Sequence, residues 1–196
     1  AYINLHWQNI KPKNIFLIGK GRIYNSIRNS VQTNNLVPTF GSPPSDNLLL
    51  APIDSDIPII PVGRLAATNG DDVRIYLNKI KQLEHNAKNS VDYKNQHWRK
   101  QIIHLGGGAN PNEQSLFKNY LSNLRTLVND GKSGSNVNLF SKSNLEHTSI
   151  PNSKKIDSLI NNGVSMITFF GHGSTKSFDY YLNTPDYYNN KSKYPL

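Results

Sequence analysis

A histidine between two glycines, Gly171-His172-Gly173-Ser174, follows directly on the apolar run Val164–Phe170. An imidazole at the end of a buried strand is suited to general acid/base work near neutral pH. Open α/β sheets place their chemistry outside the carboxyl ends of the strands. The flanking glycines let backbone approach a ligand closely and reach dihedrals that other residues resist. A histidine of this kind serves a nucleophile, yet none of the 196 residues is a cysteine. Ser174 lies two residues from His172 without a G-x-S-x-G elbow. Triads join residues distant in sequence, so a local hydrogen bond is the favoured role for this hydroxyl.

Other residues invite chemistry less strongly. Gly106-Gly107-Gly108 stands between an apolar run and Pro111-Asn112-Glu113, and backbone N–H groups at such a turn can bind phosphate. It lacks both the G-x-G-x-x-G pattern and a Gly-Lys-Ser/Thr ending, and Gly19-Lys20-Gly21 lacks a third glycine. Tight turns explain both better than a nucleotide site does. Arg64, after Gly63, could clamp a carboxylate through two parallel bonds or join two subdomains, and a structural role is favoured. The histidines at 6, 85, 97, 104, 147 and 172 include no His-x-x-x-His pair. The lack of cysteine excludes disulfides and thiolate metal sites. Asp46, Asp54 and Asp56 could ligate a structural calcium ion through oxygen, although turn hydrogen bonds are the favoured role.

Lys and Arg exceed Asp and Glu by 22 to 13, but the bases are scattered, which describes a solvated basic surface rather than a nucleic-acid site. A hydrophobic share of 36% describes a globular chain. No apolar run approaches the ~20 residues of a membrane span. No secretory signal opens the sequence, and Ala1-Tyr2-Ile3-Asn4 reads as part of something longer.

Periodicity supplies the elements that would position these groups. Asn14–Gly19 predicts a strand, followed by a proline-marked loop to Asp56. Ile57–Val62 predicts a second strand, weakened by Pro58 and Pro61. A helix starts near Thr68-Asn69-Gly70-Asp71 and runs to about Asn86, its stripe of Val73, Tyr76, Leu77, Ile80 and Leu83 facing a sheet. Polar residues 89–96 join this part to the next. From there Trp98–Leu105 predicts a strand, Pro111 opens a helix, Val137–Phe140 a strand, Pro151–Asn162 a helix, and Val164–Phe170 a strand. The helix after Pro111 should bury Leu116, Phe117, Tyr120, Leu121, Leu124, Leu127 and Val128. The tail, Asp179 to Leu196, carries no evident core element. The order β-α-β-α-β predicts a mainly parallel sheet with helices on both faces.

Several segments, in order, resemble the gingipain-type cysteine peptidases, which have a caspase-like α/β fold. They are Asn14–Gly19, Pro44-Ser45-Asp46, Pro61-Val62-Gly63-Arg64-Leu65 with Thr68 and Asp71, Lys79-Ile80, Glu84-His85, Trp98, and Asn161 through Ser174. The resemblance covers roughly residues 14 to 178 and implies an endopeptidase acting on proteins or peptides. It implies that His172 assists a thiolate attacking a peptide carbonyl and then protonates the leaving amine. The Gly173 N–H would face the oxyanion. The nucleophilic cysteine would follow the next strand. One crossover takes ~30 residues, and fewer follow His172, so the expectation is a chain truncated on its C-terminal side. Residues 1–92 would then end an N-terminal subdomain, and 93–196 would form the first half of a catalytic one.

Some members use an acid soon after the strand that Trp98 begins. Here Gly106–Asn110 holds none before Glu113; either Glu113 lies near the site or the site works as a dyad, and Glu113 is left unassigned. No acid is matched for binding basic side chains, so Arg or Lys specificity does not carry over. The resemblance implies no cofactor for the chemistry. It implies a secreted or cell-surface location in a Gram-negative bacterium, with degradative proteases and type IX secretion sorting peptidases both among the relatives. The alternative is a catalytically inactive caspase-like binding or secretion scaffold. A chain ending before its next strand would leave a sheet edge through which copies could self-associate.

Overall fold

A computed structural model describes residues 12–21, 37, 39–41, 44–89, 94–129, 134–143, 150–173, 178–190 and 193. The chain divides into two compact units, residues 1–78 and 79–196.

In the first unit, β1 (Ile15–Ile18) pairs in parallel with β2 (Val62–Leu65), Ile15 opposite Val62 and Leu17 opposite Arg64. The second strand therefore begins where the sequence reading ended it. Pro58 and Pro61 have no N–H to offer a ladder, and Ile59 N–H instead bonds the Leu50 carbonyl at 3.1 Å. The loop before it is partly built. Phe40 and Ser45 form an antiparallel bridge, Asn47–Leu49 makes a 3-10 turn, and Leu50, Ala51 and Ile60 are buried. Pro38 and Pro43 lie outside the described residues.

Helix α1 (Gly70–Asn89) starts as its sequence suggests. Asn69 Oδ1 accepts the N–H groups of Asp71 and Asp72, and Asp72 reaches back to the Thr68 N–H and hydroxyl. These bonds satisfy donors that a helix start leaves open. Its apolar stripe is less covered than expected. Val73, Tyr76, Ile80 and Leu83 are half-buried, while Leu77 is exposed.

The second unit carries the β-α-β-α-β order: β3 (Gln101–Gly106), α2 (Pro111–Asn129), β4 (Asn136–Ser141), α3 (Ile150–Asn162) and β5 (Met166–Phe170). These three strands pair in parallel, with β3 between β4 and β5. The strand predicted from Trp98 starts later. Trp98 lies in the 3-10 segment Lys94–Lys100 and is buried as an anchor before β3. Gly163 closes α3 at φ 100°, in the left-handed region that favours glycine.

Side chains alternate across a strand, and the two helices use the two faces of β3. Ile103 and Leu105 join Phe140, Ile156, Ile160 and Val164 in a buried cluster on the α3 side. His104 and Gly106 face α2: His104 Nδ1–H donates to the Leu121 carbonyl at 3.3 Å. Burial of this imidazole pushes its pKa down.

Two expectations fail here. Tyr180 is buried in the main cluster, with Leu182 and Tyr188 against it, so the tail does supply core. The α2 stripe is mostly open. Leu121 is fully buried, but Leu116, Tyr120, Leu124 and Leu127 are exposed. Helix α2 packs over β3 and β4, which turns Tyr120, Leu124 and Leu127 toward β5. With Thr168 and Phe170 they line an open apolar groove of about 440 Å³.

Candidate active site

Register decides what meets at the carboxyl end of this sheet. Gly106, the last residue of β3, is the partner of Phe170, the last residue of β5. Both loops therefore leave the sheet side by side. The chain departs β3 through α2 on one face and returns to β5 through α3 on the other, so β3 and β5 flank the point where the connections reverse. Ligands bind at such switch points because the loops diverge there and leave a crevice.

Glu113 and His172 come together at this point. His172 Nε2–H donates to Glu113 Oε2 at 2.8 Å, a contact across 59 residues of sequence. The carboxylate can only accept, so Nε2 carries the proton, and Nδ1 is the ring nitrogen left for proton exchange with a reacting group. Phe117 packs beside the imidazole with ring centroids 5.9 Å apart, and also against Phe170 at 4.6 Å. The pair is open to water: the His172 side chain is 56% exposed and that of Glu113 33%.

Local sequence puts Glu113 there. Asn110 caps α2 by accepting the Glu113 N–H at 3.0 Å, and Glu113 Oε2 reaches back to the Ala109 N–H at 2.8 Å. A carboxylate at a helix N-terminus is favoured by the helix dipole. The His172 hydrogen bond, followed by the Ala109 N–H, holds the Glu113 carboxyl below its ordinary pKa. The same hydrogen bond raises the His172 pKa. Each group thus stabilises the charged form of the other.

The sequence reading placed His172 at a strand end, where it is found, but left Glu113 unassigned. The Asn110-Pro111-Asn112-Glu113 spacing was the available signal, since a cap with an acid three residues on fixes where that acid lies. Gly173 forms an antiparallel bridge with Phe178, and Asp179 N–H bonds the His172 carbonyl at 2.9 Å. In this pattern Gly173 and Phe178 face each other without exchanging bonds, so the Gly173 N–H points away from Phe178. Ser174 lies outside the described residues.

The glycine turn is not an open phosphate cradle. Gly108 N–H donates to Asp179 Oδ2 at 2.7 Å, so a carboxylate of the chain itself occupies the anion position. Arg64 likewise takes the structural role. Its Nε and Nη2 bond the two oxygens of Asp46 at 2.8 and 2.7 Å, and Nη1 bonds the carbonyls of Gly19 and Val37. Both Asp46 oxygens are thereby engaged, and the described residues contain no cluster of three or more acids or histidines placed to hold a metal.

A family model described as peptidase family C25 matches residues 1–196. The chain belongs to peptidase family C25, the gingipain family. Searches of curated proteins and of solved structures return no match to it. Membership of C25 accords with the mixed α/β architecture and parallel sheets, and it places the chain among cysteine peptidases, whose substrates are proteins. No helix among the described residues is long and apolar enough to cross a membrane. An imidazole whose charged form is held by a carboxylate is suited to proton transfer in thiol chemistry, and the Glu113–His172 hydrogen bond has the geometry for that.

Proposed function

We propose that this chain carries the acid/base half of a thiol-dependent endopeptidase site. In this reading His172 accepts the thiol proton at Nδ1 and later returns it to the leaving amine. Glu113 holds the ring by Nε2–H and stabilises the imidazolium. The Gly173 N–H donates to the oxyanion. The thiolate comes from outside these residues, because none of the 196 is a cysteine. The observation that carries the reading is the 2.8 Å Glu113–His172 bond at the switch point of the sheet.

The setting follows from the family resemblance. The substrates would be secreted or extracellular proteins, at the surface of a Gram-negative bacterium, with secretion-system components as partners. Copies of the isolated chain would associate through the β5 edge and its apolar groove.

The test is a peptide-cleavage assay on the whole product of the gene encoding these residues. Cleavage blocked by iodoacetamide, and reduced at least ~100-fold by His172→Ala, is expected. Cleavage that survives iodoacetamide would contradict the reading. A second reading, an inactive binding or secretion scaffold, draws on the lack of cysteine. It is favoured instead if the gene product holds no cysteine and cleaves nothing.

A further inference from the structure

Asp179 stands where two turns meet. Its N–H donates to the His172 carbonyl at 2.9 Å, and its Oδ2 accepts the Gly108 N–H at 2.7 Å. Beside these, Gly107 N–H donates to the Phe170 carbonyl at 2.9 Å. A β-carbon built on Gly107 would overlap the Asp179 carboxylate, and one on Gly171 would lie 2.5 Å from Asp179 Oδ1. Two glycines therefore clear the space that this side chain fills. Gly108, at φ 127°, adopts a conformation that side chains resist, with its N–H on the carboxylate. A hydrogen bond to a charged acceptor is among the stronger kinds.

We infer that Asp179 is a positioning residue. It locks the Gly107-Gly108 turn, which leads into Glu113, to the strand end that carries His172, and so holds the two side chains at hydrogen-bond distance. The inference rests on reading Glu113 and His172 as the acid/base pair and adds the residue that sets their separation.

The test is an NMR titration of the His172 ring in the 196-residue chain. The unaltered protein is compared with Asp179→Asn, Asp179→Ala and Gly107→Ala, each with and without Glu113→Gln. Glu113, on α2, and Asp179 are the charged groups that act on this imidazole among the described residues. Asp179→Asn keeps an oxygen for the Gly108 N–H, so Glu113→Gln should still lower the His172 pKa in that background. Asp179→Ala removes the clamp, and a methyl at Gly107 displaces it. In both, Glu113→Gln should make little further difference, a non-additivity expected of groups acting in one network.

If Glu113→Gln lowers the pKa equally in all four backgrounds, the clamp has no role. If the alanine variants do not fold, hydrogen exchange at the Gly108 amide of the unaltered chain and of Asp179→Asn decides. Protection in both supports the clamp, and rapid exchange in the unaltered chain overturns it. None of these readouts needs peptidase activity, so failure of the clamp and failure of the proposed function are distinguishable.

Discussion

Glu113 Oε2 and His172 Nε2 lie 2.8 Å apart because the strands beneath them end level, Gly106 opposite Phe170. Gly171 alone carries β5 to His172, and a capped helix start carries β3 to Glu113. The site is thus a product of register and capping, both local consequences of sequence. Its side chains remain exposed, so the pair contributes more to the ionisation of His172 than to stability.

The stability it does contribute should depend on pH with a defined window. His172 has a folded pKa raised from its ordinary 6.5, so its contribution is complete below 6.5 and is lost as pH rises through the raised value. Glu113 is lowered from 4.5, so its contribution is complete above 4.5 and is lost as pH falls through the lowered value. The Tm difference between the unaltered chain and Glu113→Gln should be greatest between pH 4.5 and 6.5. A difference constant across pH would contradict the pair. His104 has the opposite sign, since its lowered pKa means stability lost as pH falls from 6.5. Both proteins keep His104, so its effect cancels in the comparison.

Arg64 tests the first unit. Its side chain is 10% exposed and holds Asp46 by both oxygens. Arg64→Ala leaves that carboxylate and two carbonyls without their donor. It should cost about 3 kcal/mol. Amides of the β1 end, such as Gly19 bonded to Leu65, should then exchange on the order of 100-fold faster. Arg64→Lys should rescue only in part, because an ammonium cannot reproduce the planar fork. Unchanged exchange in Arg64→Ala would show that the clamp does not hold this unit.

The groove beside β5 tests the surface. Among the described residues β5 pairs with β3 alone, and Leu124 and Leu127 are 45% and 73% exposed. Sedimentation should show association that rises with protein concentration, and Leu124→Lys with Leu127→Lys should weaken it. A monomer at all concentrations would exclude self-association here.

Much of this was legible in the sequence, and the exceptions have causes. Strand and helix order in the second unit followed from period and punctuation, because buried parallel strands are apolar throughout. His172 was visible because a strand visibly ends at it. Glu113 could be named but not assigned, because an acid seven residues beyond a strand reaches the site only if a cap fixes the helix start. Asp179 was invisible, since the fit between its carboxylate and Gly107 and Gly171 exists only after both turns form. Tyr180 was missed because a single aromatic in a polar tail has no periodicity. The exposed flank of α2 was misjudged because an amphipathic stripe reveals a face and not what covers it.

The central claim is that Glu113 stabilises the charged imidazole of His172. NMR titration of the His172 ring in the unaltered chain and in Glu113→Gln measures it directly. The account predicts a pKa above 6.5 in the unaltered chain that falls in Glu113→Gln. A pKa at or below 6.5 in the unaltered chain, or one that Glu113→Gln does not move, would contradict it.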